Sequence, residues 1–225
     1  MGMVTDIKPY LNFDSVRKNI VYRLINTERN ADLLEDIPHM EFLDLSIVFH
    51  CMVSQEETRY AAIRVHNLHM KLWDISVEEL YQAAKKNTPQ LLPYQLKSMA
   101  EVLCELEETE NPEEYDYDRC MAELADRGPM YVLSNKSVVE GAACMLYPDI
   151  MRDISDTIDS SFFMIPSSVH ELLILPAETL EGWEKVKNML KEINDTQVEP
   201  EEILSYSLYY YDRENTAEIN LASLL

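Results

Sequence analysis

Glycine is nearly missing from this chain, with four among 225 residues. Phosphate-binding loops need closely spaced glycines so that the backbone can approach the ligand, and long flexible linkers need them for freedom, so the scarcity argues against both. Basic residues are also few. Against 41 Asp and Glu stand 19 Lys and Arg, a formal net charge of −22; this disfavours direct binding to nucleic-acid phosphates or anionic lipid and favours cationic partners. No apolar run approaches the ~18 residues of a membrane span. The opening Met1-Gly-Met-Val-Thr-Asp lacks the basic and apolar regions of a signal peptide. Cys51, Cys104, Cys120 and Cys144 are widely spaced and contain no CxxC pair, which disfavours a zinc ribbon or a thioredoxin-like site. Cys51 and Cys144 sit in apolar runs and read as buried small hydrophobes, a usage that fits a cytoplasmic location. There is no Gly-x-Ser-x-Gly elbow and no repeat period.

What remains is ordinary globular material, 47% hydrophobic. Asp14 to Ile20 reads as a short capped helix leading into a strand at Ile20–Ile25, and Asn30 to Asp36 as a helical turn stopped before Pro38. Leu43 to Val53 alternates as a long strand, with Leu43, Leu45, Ile47, Phe49 and Cys51 on one face and Asp44, Ser46, Val48 and His50 on the other. After a polar turn, Tyr60 to Trp73 reads as its antiparallel partner, bent near Asn67. Ser76-Val-Glu-Glu79 is a capping box opening a helix through Lys86, and a second helix is expected over Tyr94 to Glu108 once Pro89 and Pro93 are passed. Glu105 to Asp118 is densely acidic and reads as an exposed acidic loop or a frayed helix end. Further on, a short helix over Arg119–Asp126, a strand at Met130–Ser134, helix from Gly141 towards Ile158 and a helix over Thr179–Asn194 follow. A helical turn from Pro200 and a last hairpin from Leu208–Asp212 to Ala217–Leu221 close the series. Ser161 to Pro176 has the highest apolar density and reads as two buried strands around Pro166-Ser167-Ser168, with Phe163, Ile165, Leu173 and Leu175 inward. Hairpins separated by helix clusters point to an α+β fold with a mixed, mainly antiparallel sheet. The expectation is one domain over 1–225, with residues 105–118 as an internal boundary.

Val21-Tyr-Arg-Leu-Ile-Asn-Thr-Glu-Arg-Asn30, Pro38-His-Met-Glu-Phe-Leu-Asp-Leu-Ser-Ile-Val-Phe49, Asn87-Thr-Pro-Gln-Leu-Leu-Pro93, Val132-Leu-Ser-Asn-Lys136, Gly141-Ala-Ala-Cys144, Pro166-Ser-Ser-Val-His-Glu171 and Tyr209-Tyr-Tyr-Asp-Arg213 resemble, in this order, an uncharacterised bacterial family, mostly of gut anaerobes, labelled domain of unknown function 5688. Members of that family usually carry an additional N-terminal segment, so the resemblance implies a trimmed N-terminus here. It implies no activity, cofactor or partner.

The polar candidates are weak as chemistry. Ser167, Ser168, His170 and Glu171 supply a nucleophile, a base and a carboxylate, but on a strand His170 and Glu171 point to opposite faces and no oxyanion donor is in view. His66 and His69, with His39 and His50 in reserve, would need a bulge at Asn67 to share a face, and zinc asks for three or four converging ligands. Asp44 reads as a buried carboxylate paired with Arg23 or Arg64. Tyr206, Tyr209, Tyr210 and Tyr211 divide between sheet packing and surface. The leading expectation is therefore a non-enzymatic cytoplasmic module with an acidic surface that binds a protein partner, a basic one, and uses no cofactor. The alternatives are a hydrolase or metal-dependent enzyme centred on His170/Ser168 or on His66/His69, and an acidic nucleic-acid mimic that inhibits a DNA- or RNA-binding protein.

Overall fold

A computed structural model describes residues 11–55, 60–113, 115–124, 128–177, 183–214 and 219–221. The fold is α+β, with two antiparallel sheets. In the first, β3 (Leu45–Gln55) is the shared strand. It pairs along one edge with β1 (Ile20–Asn26) and along the other with β2 (His39–Phe42) and β4 (Tyr60–Arg64). The second sheet has the order β10 (Ile219–Leu221), β9 (Tyr209–Tyr211), β7 (Phe162–Ile165), β8 (Leu172–Pro176), β6 (Tyr131–Asn135), β5 (Tyr94–Ser98). The apolar Ser161–Pro176 stretch thus supplies its two central strands. Phe163 is the one of the four expected inward residues left half-exposed; Ile165, Leu173 and Leu175 are buried.

Alternation in β1 and β3 sends Tyr22, Leu24, Leu45, Ile47, Phe49 and Cys51 into the largest apolar cluster, where they join Leu133, Phe162, Ile174 and Tyr209 of the second sheet. A buried 3-10 helix, Gly141–Leu146, contacts β1 of the first sheet and β6 of the second, and α7 (Ile150–Ile158) packs on it. A smaller cluster covers the opposite face of the second sheet, where Val186 and Leu190 of α8 (Trp183–Thr196) sit on Ile165, Leu173 and Leu175. The start of the expected helix at Thr179 falls outside the described residues.

Two short helices, α1 (Phe13–Val16) before β1 and α2 (Ala31–Leu34) after it, lie where the sequence places helical turns; several other elements differ from the sequence reading, each for a local reason. Leu43 has φ +57° and, with Asp44, makes the turn between β2 and β3, so the long strand starts at Leu45 and Leu43 is exposed. Asn67–Trp73 is a helix, α3, where a bent strand is expected: His66 and His69 form a capping box at its start, Met70 and Trp73 turn inward at helical spacing, and Asp74 ends it in the left-handed region. The helix opened by Ser76, α4 (Val77–Leu91), runs through Pro89, because a proline one turn from the end removes a single backbone bond. Tyr94–Ser98 is an edge strand, and the following helix, α5 (Met99–Glu110), begins at the Ser98/Glu101 capping box. Of residues 105–118, expected as exposed loop or frayed helix end, Glu105–Glu110 form the last turns of α5, residues 111–113 leave the helix, and Tyr117 opens α6 (Tyr117–Leu124).

Cys104 and Cys120, sixteen residues apart, form a disulfide joining α5 to α6, while Cys51 and Cys144 are free and buried. A stable disulfide belongs to an oxidising compartment, so the pair removes the cysteine-based argument for a reducing one. No described helix is long and apolar enough to cross a membrane. The chain-entropy account gives a disulfide closing a loop of this length about 3 kcal/mol. Urea unfolding with and without reductant should differ by about that amount; coincident curves would mean that the α5–α6 pair holds without the cross-link.

Candidate functional site

The polar candidates meet where the connection between β7 and β8 passes β6. Ser168 forms an isolated antiparallel bridge with Ile203, and its Oγ accepts the backbone N–H of His170 at 3.0 Å. The imidazole is engaged at both nitrogens: Nδ1 accepts the Glu140 N–H at 3.1 Å, and Nε2 lies 3.2 Å from a Glu202 carboxylate oxygen. Ser168 and His170 are therefore neighbours without being arranged as nucleophile and base, since the ring nitrogens face Glu140 and Glu202. Ser167 is buried, and its carbonyl accepts the Leu204 N–H. Desolvation raises the Glu171 carboxyl above its usual range, against the opposing pull of His170.

His66 and His69 come together as a helix cap. The His66 N–H donates to His69 Nδ1 at 2.9 Å, and the His69 ring stacks on Trp73. Burial and the nearby His66 lower the His69 pKa. Among the described residues no group of three or more His, Cys, Asp or Glu converges as metal ligands. Asp44 takes three hydroxyl donors, Ser205, Ser207 and Tyr209, instead of an arginine; a tight turn carries it beyond the strand face on which it was expected. Arg23 pairs with Glu140 at 2.9 Å. Tyr209 and Tyr211 are buried, Tyr210 packs on the smaller core, and exposed Tyr206 donates to Asp195.

Residues 136–140 connect two cavities. Val138 and Glu140 both have left-handed backbone, φ +51° and +57°, a conformation that is an outlier for a β-branched side chain. Val138 lines a pocket of about 260 Å³ under α5, with Val132, Leu173, Met99, Val102, Lys97, Glu105 and Glu171. The register explains its floor: Lys97, Val132 and Leu173 are cross-strand neighbours on one face, continuous with the smaller core. Glu140 lines a cleft of about 190 Å³ on the outer face of the first sheet, with Arg23, His50 and Arg64. Sequence reasoning named Glu171, which lines the pocket, and missed the cleft. Alternation was the signal for the cleft: Arg23 lies opposite Val48, and His50 opposite Arg64, so one face collects all three polar side chains.

His50 is buried, and its pKa is pushed down from 6.5 to about 2 by burial first, then by Arg23, Arg64 and His66. It stays neutral in the folded chain while the unfolded chain takes up a proton below pH 6.5, so its contribution to stability is complete above 6.5 and is lost as pH falls, by up to about 1.4 kcal/mol per unit. The urea midpoint of the wild type should therefore fall more steeply from pH 6.5 to 5 than that of His50→Gln, and parallel slopes would contradict a neutral buried imidazole.

Gly141 permits the crowding at the connection. A Cβ there would lie 2.1 Å from Ser134 Oγ, 2.5 Å from the His170 carbonyl oxygen and 2.7 Å from the Asn135 backbone nitrogen. Two of the three are backbone atoms, so Gly141→Ala should destabilise by at least the 1–3 kcal/mol typical of overpacking, roughly; an unchanged thermal midpoint would show that the connection can move aside.

A family model described as "Family of unknown function (DUF5688)" matches residues 2–213. No curated protein and no solved structure matches the chain.

Proposed function

The chain belongs to this family of unknown function, and we propose that it works as a binding module for a basic, partly apolar segment of a partner protein, held in the pocket under α5. One observation carries the reading: an open apolar floor ends on a carboxyl group, that of Glu171, with no lysine or arginine partner among the described residues. Glu105 is already held by both oxygens on Lys97 Nζ at 2.7 Å. Glu171, half-buried beside Leu173, has among the described residues the Ser168 hydroxyl and the half-exposed His170 ring to offset its desolvation.

A lysine or arginine side chain fits both demands, because its aliphatic stem covers apolar surface while its head meets the carboxylate. Leu106 and Tyr117 add exposed apolar area on α5 and α6, among the exposed carboxylates of Glu105, Glu108, Glu110 and Asp118. The net charge of −22 steers a basic partner towards any such face and raises its association rate. Catalysis is the weaker reading, because the serine–histidine pair lacks a nucleophile–base hydrogen bond.

Charge alone attracts any polycation, so the test must separate the pocket from the field. Fluorescence anisotropy with a labelled lysine–leucine amphipathic peptide should give saturable binding that weakens with salt. A peptide of equal charge with serine in place of leucine should bind more weakly. Glu171→Gln should cost about tenfold in affinity, or about 1.4 kcal/mol, while Glu28→Gln, exposed and outside the pocket lining, should cost little. Equal losses from the two substitutions, or equal binding of the two peptides, would reduce the interaction to non-specific attraction.

A further inference from the structure

The cleft on the outer face of the first sheet has the opposite character, and it does not depend on the pocket under α5. In a chain with more than twice as many acidic as basic residues, it gathers two guanidinium groups and a histidine. Arg64 is exposed and makes no ion pair among the described residues. His50, 5% exposed, has no hydrogen-bond partner at Nδ1. Buried polar atoms are nearly always paired, so a cleft wall that holds an imidazole with an unpaired nitrogen departs from the usual pattern.

We propose that this cleft binds a small monocarboxylate with a short aliphatic body. The carboxylate sits between Arg64 and the His50 imidazole, which supplies an N–H donor in its neutral form, and the body lies against Ile25, Val48, Val169 and Ile203.

Size and charge narrow the class. At about 190 Å³ the cleft is smaller than the pockets that take drug-sized ligands. Glu140 and Glu201 also line it, and Glu140 already holds Arg23. Two arginines against two glutamates leave no excess of fixed positive charge for a dianion, whereas a single negative charge placed at Arg64 meets one cation directly. The apolar side chains of the wall favour a branched or straight alkyl group over a polyhydroxylated one.

Isothermal titration calorimetry with sodium isovalerate, sodium acetate and inorganic phosphate tests the assignment on the full chain. Isovalerate should bind saturably, several-fold more tightly than acetate and more tightly than phosphate. Arg64→Gln, at an exposed position where the fold is not at stake, should weaken isovalerate at least tenfold, and the exposed Lys71→Gln should leave it unchanged. No saturable isovalerate binding, binding that Arg64→Gln leaves intact, or tighter binding of phosphate would each overturn the proposal.

Discussion

The close approach of backbone at Gly141 is the constraint on which the rest of the molecule turns. Where β6 ends, the chain must cross to the buried 3-10 helix while the β7–β8 connection runs past in contact. Four bonds fix that crossing: Ser134 Oγ to the His170 carbonyl at 2.7 Å, the Glu140 N–H to His170 Nδ1 at 3.1 Å, the Ala142 N–H to the Val169 carbonyl at 3.1 Å, and the Val169 N–H to the Glu202 carbonyl at 2.9 Å. Each satisfies a polar group that burial would otherwise leave costly. Only a residue without a Cβ fits at position 141, so one of four glycines in the chain sits where two layers meet.

The loop entering this crossing carries the strain. Val138 and Glu140 are both held at positive φ, a conformation that persists only where the surroundings over-determine it. Asn135 does so: its side chain donates to the Val139 carbonyl and accepts from the Ser137 N–H. The result places an apolar side chain towards one cavity and a carboxylate towards the other, three residues or fewer from the same glycine. A second polar anchor, Asp44, ties the β2–β3 turn of the first sheet to Ser205, Ser207 and Tyr209 beside the second. Burial and the adjacent Asp44 push the Tyr209 phenol well above its usual range, which keeps it a donor at every ordinary pH.

Period-two alternation made much of this legible in the sequence. The inward residues of β3, the hairpin with β4 and the last hairpin follow from it, the central pair at 162–176 from its apolar runs, and the helix start at Ser76 from its Ser-x-x-Glu spacing. Errors arose where a local signal competed with an apolar run. Tyr60 to Trp73 contains enough large side chains to continue as a strand, yet the His66–His69 cap turns it into a helix at Asn67. Ser98-Met-Ala-Glu101 carries the same signature as Ser76 and marks a helix start that the run from Tyr94 concealed. The disulfide and the Arg23–Glu140 contact at the cleft lay beyond reach for a different reason. Cys104 meets Cys120, and Arg23 meets Glu140 across 117 residues, only through tertiary placement, and no spacing along the chain encodes that.

Bonding, more than residue type, separates the structural polar groups here from those able to meet a ligand. Ser168, His170, His66 and His69 are the residues whose chemistry stands out in the sequence, and their hydrogen bonds are spent within the fold, on a bridge, a backbone N–H and a helix cap. A histidine bonded at both nitrogens must break one contact before it can take or give a proton elsewhere. Arg64 and His50 have no such commitments among the described residues, although as single letters in alternating strands they look unremarkable. For a chain this acidic, keeping a guanidinium with no ion pair among the described residues next to a buried imidazole runs against the average electrostatics of its surface. Such a departure from local consistency is where function is expected to lie.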